Sequence, residues 1–479
     1  MTVLPFLVGD TWTTGRGEPF ESVNPADGSV AARLGAADAA DVDAAVACAR
    51  AAFAQASWRN LLPHRRGRLL SRMADLIERD IEPLARAQMA DNGKTLRECR
   101  AQAADAASVF RYYAALCETA GGEITPQRGP STTFTVYEPM GVVAAITPWN
   151  SPLTIEAQKL APILAAGNAV VLKPSEVTPQ VALRFAALAL EAGFPPGIVN
   201  VVTGLGDVGR ALVAHPGIDL VSFTGGTVAG RHIAEIAGRK LCPVVLELGG
   251  KSPNVVFADA DLDAAVKGVA AGIFVSGGQS CIAGSRIFVE AAIYDTLVER
   301  LAVEALAWAP GKPEDPKARI GPMASFAHRD AVERAVDVAR SEGAIVKAGG
   351  AAPDDPALAG GAYYLPTVLT GLTNASRTCR EEIFGPVCVV LPFADEADLV
   401  VQANDSDFGL AAGIWTSDAR RAWRVARDMR SGTVWINTYK ESSISTPFGG
   451  VKASGIGREK GLAGLRAYCQ PKGLFWNLA

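Results

Sequence analysis

Four short stretches set reactive or polar side chains among glycines and apolar residues, where burial can tune their chemistry. SGGQSCIAGSR, residues 276–286, holds one thiol, Cys281, inside a glycine- and serine-rich turn. As a thiolate it would be a nucleophile. As a thiol it would be a small apolar filler, the commoner fate of a cysteine. LELGGKSP holds Glu247 between Leu246 and Leu248, ahead of two glycines. Partial desolvation there would raise its pKa toward the range of a general base. A satisfied core carboxyl is the competing reading. TPWNSP with Asn150 and EEIFGPV with Glu382 share the pattern, and for each the alternative is a satisfied polar group or a loop residue.

Other stretches suit phosphate or sugar. TGLGDVGRAL carries Gly204, Gly206 and Gly209 at G-x-G-x-x-G spacing. The acidic residue that the dinucleotide fingerprint needs about 20 positions later is missing, so these glycines read as a tight turn using positive φ. SFTGGTVAG is the better phosphate candidate, because Gly225 and Gly230 bracket the first turn of a helix whose N-terminal amides attract a pyrophosphate. LKPSE puts Lys173 and Glu176 just past the carboxyl end of a strand, the edge where open α/β sheets bind ligands. A carboxylate there accepts both hydroxyls of a ribose and repels a 2′-phosphate. A solvated charge pair is the plain alternative.

The elements that must hold these residues alternate in a βαβ rhythm from residue 140. GVVAAIT, NAVVLKP, IVNVVTG, DLVSFTG and CPVVLELGG are the strands, with helices over 153–165, 178–192, 207–214 and 227–237 between them. A parallel sheet covered by helices on both faces follows. A second alternating region starts with SPNVVF and runs to about residue 450, and its helix 261–274 leads into the thiol stretch, placing Cys281 on a helix-to-strand turn. Residues 31–56 and 99–107 are alanine-rich at helical spacing and predict helices. STTFTVYEP, 131–139, alternates like a strand, and the terminal YCQPKGLFWNLA predicts a strand that must pair, with a partner subunit as one candidate.

With 479 residues, 49% of them hydrophobic, the chain can bury a large core and predicts two or three domains. A formal charge of −4 without a basic block argues against a nucleic-acid partner. The longest apolar runs fall short of the about 20 residues a membrane span takes. MTVLPFLVGDTW lacks the basic start of a signal peptide. The eight cysteines form no C-x-x-C pair, which argues against a disulfide framework and a metal site and favours the cytoplasm.

TPWNSP, KPSE, FTGGTVAG, LELGGKSP, GGQSCIAGSR, EEIFGPV and PFGGVKASGIGRE occur in an order and at spacings that resemble the NAD(P)-dependent aldehyde dehydrogenase superfamily, from about residue 5 to 476. The resemblance implies an α/β fold with a Rossmann-type cofactor domain of five mostly parallel strands (1–118 and 140–250). It further implies an α/β catalytic domain (251–446), and bridging segments (119–139 and 467–479) that join subunits into dimers or tetramers. It implies Cys281 as nucleophile, Asn150 and the Cys281 amide as oxyanion donors, and Glu247 as the base that hydrolyses the thioester. Lys159 and Glu459 match a proton path.

The cofactor residues implied are Ile146, Thr147, Pro148, Trp149, Lys173, Ser175, Glu176, Gly206, Phe223, Thr224, Gly225, Gly226, Gly230, Leu248, Gly249, Glu382 and Phe384. Glu382 falls to the nicotinamide ribose and Lys173 and Glu176 to the adenosine ribose, and Glu176 favours NAD over NADP. Gly226 stands where many members have serine, so backbone amides must do more there. Ser151 stands where many have an aromatic residue, and the substrate mouth of Ser280, Ile282, Lys440, Glu441, Ser442 and Phe448 is mixed in character. A polar, aromatic or carboxylated semialdehyde suits such a mouth, with Lys440 as carboxylate partner or as a solvated loop lysine. Rival readings are a dehydrogenase that forms an acyl-CoA, and a non-redox thioesterase-like or structural member. Glu247 argues against the first, and the retained Lys173, Glu176 and Glu382 against the second.

Overall fold

The β-branched runs after residue 140 form one sheet in the computed structural model, which describes residues 2–477. Met1 of the 1–118 segment and Leu478 and Ala479 of the 467–479 segment lie outside the described residues. Val142–Ile146, Ala169–Lys173, Val199–Val201, Leu220–Thr224 and Val244–Glu247 are parallel, with helices Pro152–Ala165, Gln180–Ala192, Gly206–Ala214 and Thr227–Arg239 between them. Helices cover both faces, so the strand interiors are continuous apolar runs such as Val142 to Ala145, all fully buried. Val142–Ile146 is central, flanked by Ala169–Lys173 on one side and Leu220–Thr224 on the other. The chain therefore builds outward to one side, returns, and builds outward to the other. Ligands of open α/β sheets bind at the strands' carboxyl ends beside that reversal.

A sixth strand corrects the five-stranded expectation. Gly455–Ile456 pairs antiparallel with the edge strand, Ile456 opposite Leu246. A two-residue strand that is itself half glycine carries no periodic signal. They are recruited because an edge strand otherwise leaves a row of unpaired backbone groups.

The N-terminal helices Ala39–Ala54, Pro63–Arg79, Ile81–Asn92 and Leu96–Thr119 share one core with this sheet, in which Leu70, Phe110 and Tyr113 meet the strand residues. The helix predicted over 31–56 begins only at Ala39. Asp38 caps it, accepting from the Asp41 amide while the Asp41 carboxylate accepts from the Asp38 amide. The preceding Val30–Ala36 is a strand held between Val3–Leu4 and Gly17–Val23, so ladder pairing overrides alanine's helix preference.

The second sheet has seven strands, and Pro253–Val256 lies between Arg286–Glu290 and Ala411–Trp415. All neighbours run parallel except Ile345–Ala348, which is antiparallel to Thr367–Thr370. The carboxyl edge of the first sheet ends at Glu247, and the second sheet's strand starts at Pro253. Residues 248–252 join the two edges directly, and the chain returns from Thr433–Ile436 of the second sheet to Gly455–Ile456 of the first. Helix Leu262–Phe274, one tight turn over Val275–Gly278 and strand Arg286–Glu290 put Cys281 on the predicted helix-to-strand turn.

The terminal strand, predicted to need a partner, finds one within its own chain. Cys469–Asn477 runs antiparallel along Ser131–Pro139, which also pairs with Glu123–Arg128. No helix among the described residues is long and apolar enough to cross a membrane.

Candidate active site

Cys281 is held by backbone geometry on both sides. Ser276, Gly277 and Gly278 are consecutive left-handed residues with φ of 60, 63 and 70°. A Cβ on Gly278 would lie 2.0 Å from the Gly385 carbonyl oxygen, so only glycine lets this turn run against the 382–386 segment. On the opposite flank a Cβ on Gly250 would lie 2.4 Å from the Cys281 carbonyl oxygen. Gln279 locks the turn, its Oε1 accepting from the Ala324 amide at 2.8 Å and its Nε2 donating to the Ser276 carbonyl at 3.2 Å. Asn150 Nδ2 donates to the Gln279 carbonyl at 3.0 Å. The amide therefore sits beside the thiol turn with a second N–H left to donate.

Burial pushes the Cys281 thiol up to about 12, and the Glu382 and Glu247 carboxyls add to the shift while Lys440 opposes it. The resting sulfur is a protonated thiol. Nucleophilicity has to be induced by a base or a cation.

Glu247 ends the last parallel strand and is 4% exposed, with neither carboxyl oxygen hydrogen-bonded. Burial drives its pKa well above the carboxylate range, Glu459 reinforces the shift, and Lys159, Arg458 and Lys460 oppose it. A Cβ on Gly449, at φ 151°, would lie 2.6 Å from Glu247 Oε1, so this glycine makes room for the carboxyl. Behind it Lys159 Nζ donates to Glu459 Oε1 at 2.7 Å and to Ser222 Oγ at 2.9 Å, and Ser222 Oγ lies 2.8 Å from the Tyr468 hydroxyl. All four are buried. Helix 152–165, strand 220–224 and the segment after the sixth strand thus converge on one polar chain inside the core. Ser222 and Tyr468 escaped the sequence reading, their one cue being a serine within the apolar DLVSF.

A cleft opens at the carboxyl ends of the first sheet, at the point of reversal. Pro148, Trp149, Asn150, Thr224, Gly225, Gly226, Glu247, Leu248, Gly249, Cys281, Glu382 and Phe384 line it, all named from the sequence, together with Ile155 and His328, which were not. His328 stands in the first turn of helix Phe326–Ser341, capped by Ser325. Its Nε2 lies 2.8 Å from the Phe384 carbonyl oxygen, which can only accept, so Nε2 carries the proton. The His328 and Phe384 rings pack on Trp149 at centroid distances of 4.8 and 5.2 Å, supporting Phe384 at φ 60°. A lone histidine outside any motif offers no sequence signal.

Glu382 Oε1 accepts from the Gly250 amide at 2.9 Å, and burial brings its pKa to about 7. Gly206 and Gly226, at the starts of two helices, have open space where a Cβ would go. Of the G-x-G-x-x-G glycines only Gly204 has positive φ, so the tight turn is made by that residue alone. Gly230 faces protein, since a Cβ there would lie 2.3 Å from Leu248 Cδ2. Lys173 is buried, 3.7 Å from the half-exposed Glu176, and donates to the Pro174 carbonyl. Ser175 Oγ accepts from the Val177 amide. Thr147 Oγ1 donates inward to Glu156 at 3.4 Å, at the end of the strand that closes with Ile146. Thr224 Oγ1, beside Phe223, is buried without a partner.

The substrate-mouth residues lie outside that cleft's lining. Ser151 Oγ accepts from Gln102 and Ser442 Oγ from Lys460, whose ammonium lies 5.1 Å from the Phe448 ring centre. Ser280 donates its amide to the Gly278 carbonyl, and Ile282 packs on the second domain's core. Lys440 is not a solvated loop lysine. Its Nζ is buried without a hydrogen-bond partner.

The profile of the aldehyde dehydrogenase family matches residues 12–474. The betaine aldehyde dehydrogenase of Bacillus subtilis (strain 168) is 41% identical over 475 residues, covering 98% of this chain and 97% of that protein. Among solved structures, a putative aldehyde dehydrogenase from Burkholderia cenocepacia superposes with a TM-score of 0.97 at 42% identity, covering 99% of this chain and 97% of that one. The betaine aldehyde dehydrogenase of Staphylococcus aureus in complex with NAD+ superposes with a TM-score of 0.97 at 38% identity, covering 99% of this chain and 94% of that one. A cleft that joins a sheet's carboxyl edge to a cysteine on a glycine-rich turn, in a chain matched nearly end to end, leaves one assignment: the protein belongs to the aldehyde dehydrogenase family.

Proposed function

We propose that the protein oxidises an aldehyde to a carboxylic acid, with NAD as hydride acceptor and a covalent intermediate on Cys281. The observation that supports this reading is that Cys281, Asn150 and Glu247 line one cleft at the carboxyl edge of the first sheet. The residues present fit a dinucleotide. Gly206 and Gly226 leave open space at helix starts, Thr224 Oγ1 has no protein partner, and Glu176 beside Lys173 suits a ribose without a 2′-phosphate. NAD supplies an acceptor for the hydride that leaves the aldehyde carbon.

The chain's own groups do the rest. Cys281 gives up its proton to water, and its sulfur attacks the carbonyl carbon. Asn150 and the Cys281 amide hold the oxyanion of the thiohemiacetal. Loss of hydride leaves a thioester. Glu247 takes a proton from water, whose oxygen attacks the thioester carbon; the C–S bond breaks and the acid departs. The Glu459–Lys159–Ser222 chain gives the accepted proton a polar route through an apolar core.

Glu247 favours water over coenzyme A as the acyl acceptor. The two sheets support a division into a cofactor domain, 1–118 with 140–250, and a catalytic domain, 251–446, and the pairing of Cys469–Asn477 with Ser131–Pro139 supports 119–139 with 467–479 as the segments that join subunits. Its exposed Phe475 and Trp476 support a homodimer or homotetramer. A cytoplasmic setting accords with eight unpaired cysteines.

Following NADH absorbance with NAD and an aldehyde, with and without coenzyme A, tests the reading. Cys281→Ala is expected to abolish turnover while NAD still binds. Persistent turnover removes the thiol from the reaction.

A further inference from the structure

We propose that the physiological aldehyde carries a second, anionic carboxylate group, and that Lys440 is the residue that selects it. This rests on the reading of Cys281 as the nucleophile. Lys440 follows directly on Tyr439, whose ring is buried against the thiol loop: a Cβ on Gly284 would lie 3.1 Å from Tyr439 Cζ. Its backbone is held at φ 62°, a strained value for a residue other than glycine, which fixes where the side chain starts. The Nζ is then shut away from solvent with no hydrogen-bond partner, within electrostatic reach of Cys281. Three donors are left unused.

The charges facing it do not compensate. Lys94 Nζ donates to Ser276 Oγ at 2.5 Å, and Ser276 Oγ donates to Glu98 Oε1 at 2.9 Å, so Lys94 and Glu98 answer each other through the first residue of the thiol turn. Lys460 adds a further cation near the thiol, bonded to Ser442 and lying over Phe448, with Glu459, Asp105 and Glu247 as the carboxyls that act on it. That leaves Lys440 as the uncompensated group. Burial and Lys94 bring its pKa down to about 7, the response of a lysine whose counter-ion is missing. A substrate carboxylate supplies that counter-ion through a charge-assisted hydrogen bond while its aldehyde meets the sulfur. The same field opposes a quaternary ammonium, which is bound by several aromatic faces rather than by lysines. On this point the chain departs from the substrate in the names of its betaine aldehyde dehydrogenase relatives.

The test compares short ω-oxo acids of increasing length with their uncharged ω-oxo amides and with betaine aldehyde, NAD being present throughout. At the best chain length the wild-type kcat/KM for the acid should exceed that for the amide by on the order of ten-fold or more, with betaine aldehyde poorest. Lys440→Met should lower the acid-to-amide ratio by a similar factor, and Lys440→Arg should keep most of it. NAD binding and circular dichroism check that both variants fold. An acid-to-amide ratio near one at every length, or a ratio that Lys440→Met leaves unchanged, overturns the inference while aldehyde oxidation stands. Absence of NADH from every aldehyde sinks the functional reading itself.

Discussion

Replacing Lys159 by methionine takes away the ammonium bonded to Glu459 Oε1 at 2.7 Å and leaves a carboxylate that is 3% exposed beside Glu247. Both partners of the pair are buried, so the discount that solvent screening imposes on surface pairs does not apply. Breaking such a pair from one side costs about 3–5 kcal/mol, because an uncompensated charge stays behind. For a cooperative unit of the cofactor domain's size, at about 2–4 °C per kcal/mol, that is a fall in Tm of about 6–20 °C. The measurement is scanning calorimetry of cofactor-free protein at pH 8 and one scan rate, on Lys159→Met, Glu459→Gln and the double variant. The double variant should recover much of the loss, since Ser222 and Tyr468 can still bond each other and no lone charge remains. A single-variant shift under about 2 °C, or effects that simply add, would refute the claim that the pair is a coupled, desolvated unit.

Glu247→Gln should permit one burst of NADH followed by slow release of acid, read by stopped-flow absorbance, because thiol attack needs no ionised Glu247 whereas thioester hydrolysis does. An unaltered steady rate removes Glu247 as the base. Burial pushes the Glu382 carboxyl up to about 7 from the ordinary glutamate range near 4.5, so the native state holds its proton more tightly than the unfolded chain. Stability of the cofactor-free protein should therefore fall as pH rises from about 4.5 through about 7, and Glu382→Gln should flatten that part of the Tm profile. Parallel profiles would contradict the desolvation of Glu382.

Much of this site was legible because glycine and proline punctuation fixes where turns fall. TPWNSP follows the end of a parallel strand and SFTGGTVAG and LELGGKSP run across the ends of two more, so their residues had to collect at one edge of the first sheet. Cys281 was placed on its turn by the helix before it and the strand after it. Residues brought in from far along the chain were not legible. His328 reaches the cleft from a helix start, and Tyr468 meets Ser222 across 246 positions of sequence. The Gly455–Ile456 strand exists only because an edge needed covering. Gly230 adds a packing role that its neighbours in sequence did not signal, since a Cβ there would meet Leu248. Lys440 was legible as a residue but not as a state, because burial of one ammonium depends on the fold around it.

In the proposed mechanism the two reacting groups, Cys281 and Glu247, constrain each other through charge. An ionised Glu247 raises the Cys281 pKa, and by reciprocity a thiolate at Cys281 makes Glu247 harder to ionise. Burial pushes both toward their neutral forms, so having both ionised at once is the least favourable arrangement. That conflict resolves itself in time. During attack Glu247 is protonated, and Lys440 is the nearby group that favours the thiolate. Once the sulfur is acylated it carries no charge, the repulsion vanishes, and Glu247 can release its proton toward Glu459 and Lys159 and act on water. The low-dielectric seam between the sheets therefore orders the steps: the nucleophile must be consumed before the base becomes available, and premature ionisation of the base would silence the thiol.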